Sequence, residues 1–261
     1  MIPSKAWMAI RMVGLISSKS DISATHATGA VVSRIGGDGA TGHHRHSSGG
    51  LSVNAPRRAL IVIDAQQEYF DGPLIVQHPP RDESLARIAG AMDTAADAGL
   101  PVITVQHETA EGAPVFAPGS EGWKLHPAIE RRAPSASKHL VKGYSSVFGA
   151  GDLTEWLRAN GIDTITLVGY MTNNCVLATA AAAEPLGFAV EVLSDATGAI
   201  HLSNEAGKVS ARQVHDTLMV LLHSNWAAVT DTATWAEAVA AKAPLDKSDL
   251  GTSAVQGRTA H

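Results

Sequence analysis

Cysteine is nearly absent from this sequence. Cys175 is the single cysteine in 261 residues. One cysteine cannot form an internal disulfide, a CxxC redox pair or a cysteine-based zinc cluster. The thiol is therefore either a passive buried side chain or a reactive group, and the surrounding residues have to decide between these two roles.

Long apolar runs and an excess of positive charge are also missing. No stretch reaches the ~18 consecutive apolar residues of a transmembrane helix, and the formal net charge is −5. These absences argue against a membrane protein and against a nucleic-acid partner. Apolar residues make up 45% of the chain, enough to build a buried core. We therefore expect a globular cytoplasmic protein that binds a small molecule.

Charge divides the chain into segments. Residues 1–58 carry seven Lys or Arg against two Asp, whereas the remainder carries 13 basic and 23 acidic residues. Residues 1–56 are rich in Ser, Gly and His, which predicts a flexible basic extension; a targeting segment for import into an organelle is the alternative. We expect one folded domain over residues 57–242 and a polar, frayed tail over residues 243–261.

A glycine motif in the extension has the spacing of a dinucleotide-binding loop. Gly37, Gly39 and Gly42 match G-x-G-x-x-G. A working loop needs a strand before it and a helix after it, so that the helix N-terminus faces the pyrophosphate. Here a His- and Ser-rich stretch follows, which is a poor helix former, so we predict no cofactor.

Short apolar runs alternate with amphipathic stretches from residue 59 onward. Unbroken apolar strands are typical of a parallel sheet that is buried on both faces. The pattern predicts strands at 59–63, 101–105, 139–141, 164–168, 188–193 and 227–229, and helices at 84–98, 152–160, 174–183, 204–223 and 232–241. This alternation indicates an α/β fold with a doubly wound, Rossmann-like, mostly parallel six-stranded sheet and helices on both faces.

Three polar residues follow strands at the carboxyl edge of this sheet, where such folds bind ligands. Asp64 follows the first strand, Lys142 ends the third, and Cys175 lies just beyond the fourth. Asp64 could take the thiol proton, Lys142 could keep that carboxylate ionised, and a helix N-terminus could favour the thiolate of Cys175. Each residue alone also fits an ordinary role, as a turn cap, a surface charge or a small buried hydrophobe.

Three segments in order resemble those of the isochorismatase-like cysteine hydrolases. The segment at 59–70 ends in D-x-Q-x-x-F, that at 142–148 reads K-G-Y-S-S-V-F, and that at 168–176 reads V-G-Y-M-T-N-N-C-V. The resemblance implies a catalytic set of Asp64, Lys142 and Cys175. It also implies a cis peptide between Tyr170 and Met171, and an oxyanion hole formed by the backbone N–H groups of Met171 and Cys175.

The resemblance also bears on the metal, the substrate pocket and the assembly. The D-x-H metal motif of the nicotinamidase-like branch is missing from the corresponding region, so we predict no metal site. Family members are commonly dimers or tetramers, which implies a homodimer or homotetramer here. The aperiodic stretch 107–127 is the expected binding loop. The candidate substrate-binding residues are Gln66, Phe70, Trp123, Tyr144 and Tyr170.

Three functions remain open from the sequence. The favoured hypothesis is a metal-independent cysteine hydrolase that cleaves an amide or lactam-like C–N bond through a thioester. The first alternative is an isochorismatase-type vinyl-ether hydrolase, in which Asp64 acts as a general acid and Cys175 is a bystander. The second alternative is a catalytically silent binding protein on the same fold.

Overall fold

The computed structural model describes residues 55–260, which belong to one compact unit. The expectations for residues 1–54, namely the flexible extension, the glycine motif and the import alternative, lie outside the described residues.

Eight strands run through the described part of the chain, and six of them form the central sheet. They are β1 Arg58–Ile63, β2 Val102–His107, β3 Lys138–Lys142, β4 Thr164–Tyr170, β5 Ala189–Gly198, β6 Leu202–Asn204, β7 Gly207–Val209 and β8 Ala228–Thr230. The sheet order is β3-β2-β1-β4-β5-β8, and every neighbouring pair is parallel. The predicted α/β fold class is confirmed. The strand order reverses between β1 and β4, which is where ligands bind in such sheets.

Helices cover both faces of the sheet. They are α1 Arg81–Asp97, α2 Pro127–Glu130, α3 Leu153–Ala159, α4 Leu177–Ala183, α5 Ala211–Asn225, α6 Thr232–Ala241 and α7 Leu250–Ala260. Ile88 of α1 and Trp235 of α6 belong to the core on one face. Leu157 of α3, Ala180 of α4 and Leu222 of α5 belong to the core on the other. No helix in the described range is long and apolar enough to cross a bilayer.

The two central strands approach each other closely at their carboxyl ends. Gly169 of β4 has a φ of +104°, and a Cβ atom built on it would lie 2.0 Å from the carbonyl oxygen of Ile63 in β1. Only glycine fits this contact, because any side chain would collide with backbone and would also disfavour the positive φ. The contact holds the turn after β4 against the end of β1.

The predicted helix at 204–223 is wrong over its first third. Residues 202–209 form the antiparallel hairpin of β6 and β7, with Gly207 at a φ of +144°. The helix α5 begins only at Ala211, after a capping box in which the Ser210 hydroxyl accepts from the Gln213 backbone N–H and the Gln213 side chain accepts from the Ser210 N–H. Such a box fixes a helix start more strongly than apolar spacing does.

The predicted frayed tail is also wrong in part, because α7 occupies residues 250–260. Asp249 initiates this helix by accepting hydrogen bonds from the backbone N–H and the hydroxyl of Thr252, at 2.8 and 2.7 Å. The helix packs beside α5. The sequence therefore contains a helix start signal, D-x-x-T at 249–252, although the polar composition of the segment favoured a tail without a helix.

Candidate active site

The ends of three strands bring the predicted Asp, Lys and Cys together. The Lys142 Nζ atom donates to Asp64 Oδ2 at 2.6 Å and to Cys175 Sγ at 3.4 Å. All three residues are buried, with exposed fractions of 2%, 0% and 2% for Lys142, Asp64 and Cys175. Asp64 and Cys175 lie 78 and 33 residues from Lys142 in sequence, but both contact it in the folded chain.

The topology explains why this site needs a long side chain on β3. In the sheet order β2 lies between β3 and β1, so the Lys142 side chain has to pass over β2 to reach Asp64. Asp64 follows β1 directly, and its φ of 49° places it in the left-handed region. Such a conformation is uncommon outside glycine, and strained residues of this kind are concentrated at functional sites.

Burial dominates the electrostatics of the site. It raises the pKa of Asp64 to about 6, against the charge of Lys142 and the hydrogen bonds from Lys142 and Cys175. Burial also raises the pKa of the Cys175 thiol to about 12, and the charge of Asp64 acts in the same direction. We expected a helix terminus to favour the thiolate, but in the free protein the thiol keeps its proton, because desolvation penalises the anion more than nearby positive charge stabilises it.

Asp64 is arranged to receive that proton. Its Oδ2 atom is bound by Lys142, whereas Oδ1 is buried without a conventional hydrogen-bond partner in residues 55–260. The Cys175 thiol is close enough to influence the pKa of this carboxyl. Transfer of the proton from Sγ to Asp64 leaves the net charge of the three residues unchanged, so the thiolate can form without a proton exchanging with solvent.

Cys175, the predicted nucleophile, lies in an unusual turn after β4. The Tyr170–Met171 peptide is cis, as the resemblance implied, and Thr172–Val176 form a π-helical turn that leads into α4. The carbonyl oxygen of Met171 accepts from the backbone N–H groups of Asn174 and Val176, both at 3.1 Å. This closes the turn around Cys175. The oxyanion hole expected at the backbone N–H groups of Met171 and Cys175 stays a prediction.

A buried histidine supports the same turn from α5. The His215 Nδ1 and Thr172 Oγ1 atoms are 3.0 Å apart, and both residues are buried. Burial lowers the pKa of His215 to about 4, so the ring is neutral at physiological pH. The contact ties the first residue of the π-helical turn to the body of the protein.

Gln66, a candidate substrate-binding residue, is fully committed to backbone contacts. Its amide Nε2 donates to the carbonyl oxygens of His107 and Trp123, at 2.9 and 2.7 Å, and its Oε1 accepts from the His107 N–H at 2.8 Å. The side chain is completely buried. In the structure Gln66 therefore anchors the 107–127 segment rather than presenting its amide to a ligand.

The four aromatic candidates for substrate binding do not lie together. Phe70 and Tyr170 are buried with ring centroids 5.8 Å apart, but the Tyr170 hydroxyl is 2.8 Å from Ser84 Oγ on α1. Trp123 is half-buried, with an indole N–H that has no partner in the described chain. Tyr144 is 69% exposed. Phe70 and Tyr170 thus form one cluster, which Tyr144 does not join.

Three further residues adjoin the site that sequence reasoning did not select. Burial, and next the negative charge of Asp64, raise the pKa of Tyr69 far above its ordinary value. Its ring lies 5.4 Å from that of Phe116, and the Phe116 ring lies 5.2 Å from that of His107. His107 carried a usable signal, because it ends β2 at the edge that holds Asp64. Tyr69 and Phe116 carried none.

Three histidines of the domain lie at different places in the fold. His78 approaches Asp216, His107 lies beside Lys142, and the His126 Nδ1 atom accepts from the Ala128 N–H at the start of α2. Within residues 55–260, no group of three or more His, Cys, Asp or Glu side chains is arranged to hold a metal ion.

Comparison with known proteins identifies the family. The isochorismatase domain model matches residues 58–234. The chain belongs to the isochorismatase family. It is 31% identical to the uncharacterized isochorismatase family protein YddQ of Bacillus subtilis over 67% of this chain and 96% of that protein. A crystal structure from Burkholderia xenovorans, assigned to the isochorismatases, is 44% identical, covers 78% of this chain and 98% of that one, and has a TM-score of 0.76.

Relatives with named activities are hydrolases. Streptothricin hydrolase of Streptomyces noursei is 34% identical over 53% of this chain and 49% of that protein. Maleamate amidohydrolase of Pseudomonas putida is 29% identical over 63% of this chain and 87% of that protein. Nicotinamidase of Escherichia coli is 27% identical over 56% and 85%. This chain is accordingly an isochorismatase-family hydrolase.

Proposed function

We propose that this protein is a metal-independent cysteine hydrolase that cleaves a C–N bond in a small amide or lactam-like molecule through a thioester on Cys175. The observation that carries the proposal is the contact of one buried ammonium, that of Lys142, with both the Asp64 carboxylate and the Cys175 sulfur. The amidohydrolase activities named for the relatives support the same reaction class.

The first half of the reaction acylates the thiol. Asp64 takes the proton from Cys175 as Sγ attacks the carbonyl carbon, and the N–H groups of Met171 and Cys175 stabilise the oxyanion. When the tetrahedral intermediate collapses, the C–N bond breaks and Asp64 gives the proton to the departing nitrogen. Ammonia or an amine leaves, and the acyl group stays on sulfur.

The second half releases the acid. Water attacks the thioester carbonyl, Asp64 accepts a proton from that water, and the C–S bond breaks with the proton returning to sulfur. Lys142 stabilises the negative charge on Asp64 and on the departing thiolate throughout. Because the ammonium supplies this positive charge, the proposed mechanism needs no metal ion, and its rate should not change in the presence of a chelator.

Substitution of the nucleophile tests this proposal. The wild-type protein and Cys175→Ala are screened against a panel of small primary amides and lactams for ammonia or ring-opened product. We expect at least one substrate for the wild type and a loss of about 10⁴-fold or more in Cys175→Ala, because the covalent route disappears. Retention of wild-type turnover in Cys175→Ala would rule out the thiol mechanism.

The raised pKa of Asp64 favours one second candidate. A carboxyl with a pKa of about 6 can be protonated near neutral pH and could act as the general acid of a vinyl-ether hydrolase. In that reaction Cys175 only fills space, so Cys175→Ser should keep its activity on a vinyl-ether substrate. In the cysteine mechanism the same variant should be nearly inactive on amides. A protein active on neither class would be the silent binding protein.

A further inference from the structure

A fourth side chain, His107, touches the Asp–Lys–Cys set. It ends β2 and is the register partner of Lys142 on β3, so the lysine passes directly over it toward Asp64. The His107 Nδ1 atom lies 3.3 Å from Lys142 Nζ. The ammonium therefore faces an imidazole nitrogen in addition to the carboxylate and the sulfur.

The three acceptors around Lys142 match the three hydrogens of an ammonium group. One N–H is directed to Asp64 at 2.6 Å, one to His107 at 3.3 Å and one to Cys175 at 3.4 Å. Lys142 is 2% exposed, so solvent has little access to replace a missing acceptor. With all three present, the ammonium has one orientation and keeps one hydrogen on the sulfur.

The contact defines the state of the imidazole. An Nδ1 atom that accepts from an ammonium must carry its lone pair, so the ring proton resides on Nε2. Burial, followed by the positive charge of Lys142, lowers the pKa of His107 to about 4, and the ring is neutral wherever the site is active. A protonated ring would repel the ammonium.

The histidine itself is held rigidly. Its backbone N–H and carbonyl oxygen are both bonded to the Gln66 amide, and its ring meets the Phe116 ring edge-on at 5.2 Å and 90°. Phe116 has a φ of 53°, a conformation that costs energy for a bulky residue and persists only when its surroundings enforce it. The binding loop thus fixes the ring that Lys142 faces.

We propose that His107 is a positioning residue that accepts the third hydrogen of Lys142 and thereby fixes the ammonium between Asp64 and Cys175. The proposal concerns the site of the proposed function, but its test needs no substrate. The test distinguishes a hydrogen-bond acceptor at the Nδ1 position from a side chain that only fills space.

Two amide side chains distinguish the positions of the ring nitrogens. Asn places an oxygen where His has Nδ1, whereas Gln places its amide near the position of Nε2. We expect His107→Asn to keep the reactivity of Cys175 and His107→Gln and His107→Leu to lose it. His139→Leu is the control, because His139 is an exposed histidine on the neighbouring strand β3 whose Nδ1 lies 2.9 Å from Thr104 Oγ1 rather than near Lys142.

The readout is the rate at which iodoacetamide alkylates the 261-residue chain at pH 8, in which Cys175 is the single thiol. A loosened Lys142 stabilises the thiolate less, so a rise of one unit in the thiol pKa slows alkylation about tenfold. We expect this loss in His107→Gln and His107→Leu, and rates within about threefold of wild type in His107→Asn and His139→Leu.

The same rates measured with methyl methanethiosulfonate, a second uncharged reagent, separate reactivity from access, because loss of thiolate slows both reagents by a similar factor; Cys175→Ser is the blank. Asp64, Lys142, His107 and Tyr69 are the titratable side chains around this thiol, and all but His107 remain unchanged in the variants. Equal alkylation rates in His107→Leu and wild type, or in His107→Asn and His107→Gln, would overturn the proposal. The expected alkylation rates together with no amide turnover by the wild type would instead count against the proposed function alone.

Discussion

At the residue scale, the central feature is that one buried site holds two acidic groups whose pKa values are far apart. The Asp64 carboxyl, with a pKa of about 6, is ionised at neutral pH, whereas the Cys175 thiol, with a pKa of about 12, is protonated. A thiol next to an ionised carboxylate is the starting state for general-base catalysis. In the proposed mechanism, the activation of Cys175 thus depends on Asp64 and on substrate binding rather than on a preformed thiolate.

This arrangement predicts an acid limit to activity near pH 6. Below the pKa of Asp64 the carboxyl is protonated and cannot accept the thiol proton, so kcat/KM should fall about tenfold for each pH unit. The limit should move upward in Lys142→Met, because the charge and hydrogen bond of Lys142 lower the pKa of Asp64. The pH dependence of amide hydrolysis measures both values. A limit near the ordinary aspartate pKa of about 4 would show that burial does not control this carboxyl.

At the element scale, the close approach of β4 to β1 determines the position of the π-helical turn that contains Cys175. Gly169→Ala should cost several kcal/mol of unfolding free energy, because the added Cβ meets the Ile63 carbonyl oxygen and φ is positive. Gly90→Ala is the matched control. Gly90 lies in α1 with open space around its Cβ position, so the substitution should stabilise the protein by up to about 1 kcal/mol. Urea denaturation of both variants provides the comparison, and equal effects would contradict this account of the contact.

The elements also show what the sequence could and could not predict. Unbroken apolar strands gave the order of strands and helices, and the rule that ligands bind at carboxyl ends correctly placed Asp64, Lys142 and Cys175 together. The β6–β7 hairpin and α7 were missed because short polar elements have no apolar period. The roles of Gln66 and Phe116 depend on how the 107–127 segment packs against residues 65–70, and these contacts between distant residues leave no pattern in the sequence.

At the scale of the whole molecule, the first residue of β1 is joined by a side-chain contact to β5, two strands away in the sheet. Arg58 and Glu191 form a buried ion pair at 2.8 Å, and the Glu191 carboxylate also accepts from Thr166 and Trp235. A chain that begins at Ala55 keeps this network and should retain its melting temperature and the reactivity of Cys175. A chain that begins at Leu60 leaves Glu191 buried without Arg58, which should cost about 3–5 kcal/mol.

Thermal melting and alkylation of the two shortened proteins test the predicted domain boundary. A large loss of stability in the protein that starts at Ala55 would show that residues 1–54 contribute to the fold. Equal stability of both shortened proteins would instead show that the buried pair contributes little.

The predicted homodimer or homotetramer is a further property of the whole molecule. Large apolar side chains are exposed on α5 and α7, among them Val220, which is 70% exposed, Leu250 and Val255. Exposed apolar groups of this kind are typical of surfaces that associate. Size-exclusion chromatography with light scattering should give a mass of two or four chains. A monomer at micromolar concentration would contradict the expectation.

The claim that joins these scales is that Cys175 carries the acyl group, and partitioning with hydroxylamine tests it most directly. An amide and an ester with the same acyl group are hydrolysed in the presence of hydroxylamine, and the ratio of hydroxamic acid to carboxylic acid is measured for each. A common thioester predicts the same ratio from both substrates, because the leaving group has gone before the nucleophiles compete. Ratios that differ with the leaving group would mean direct attack on the substrate and would contradict the account.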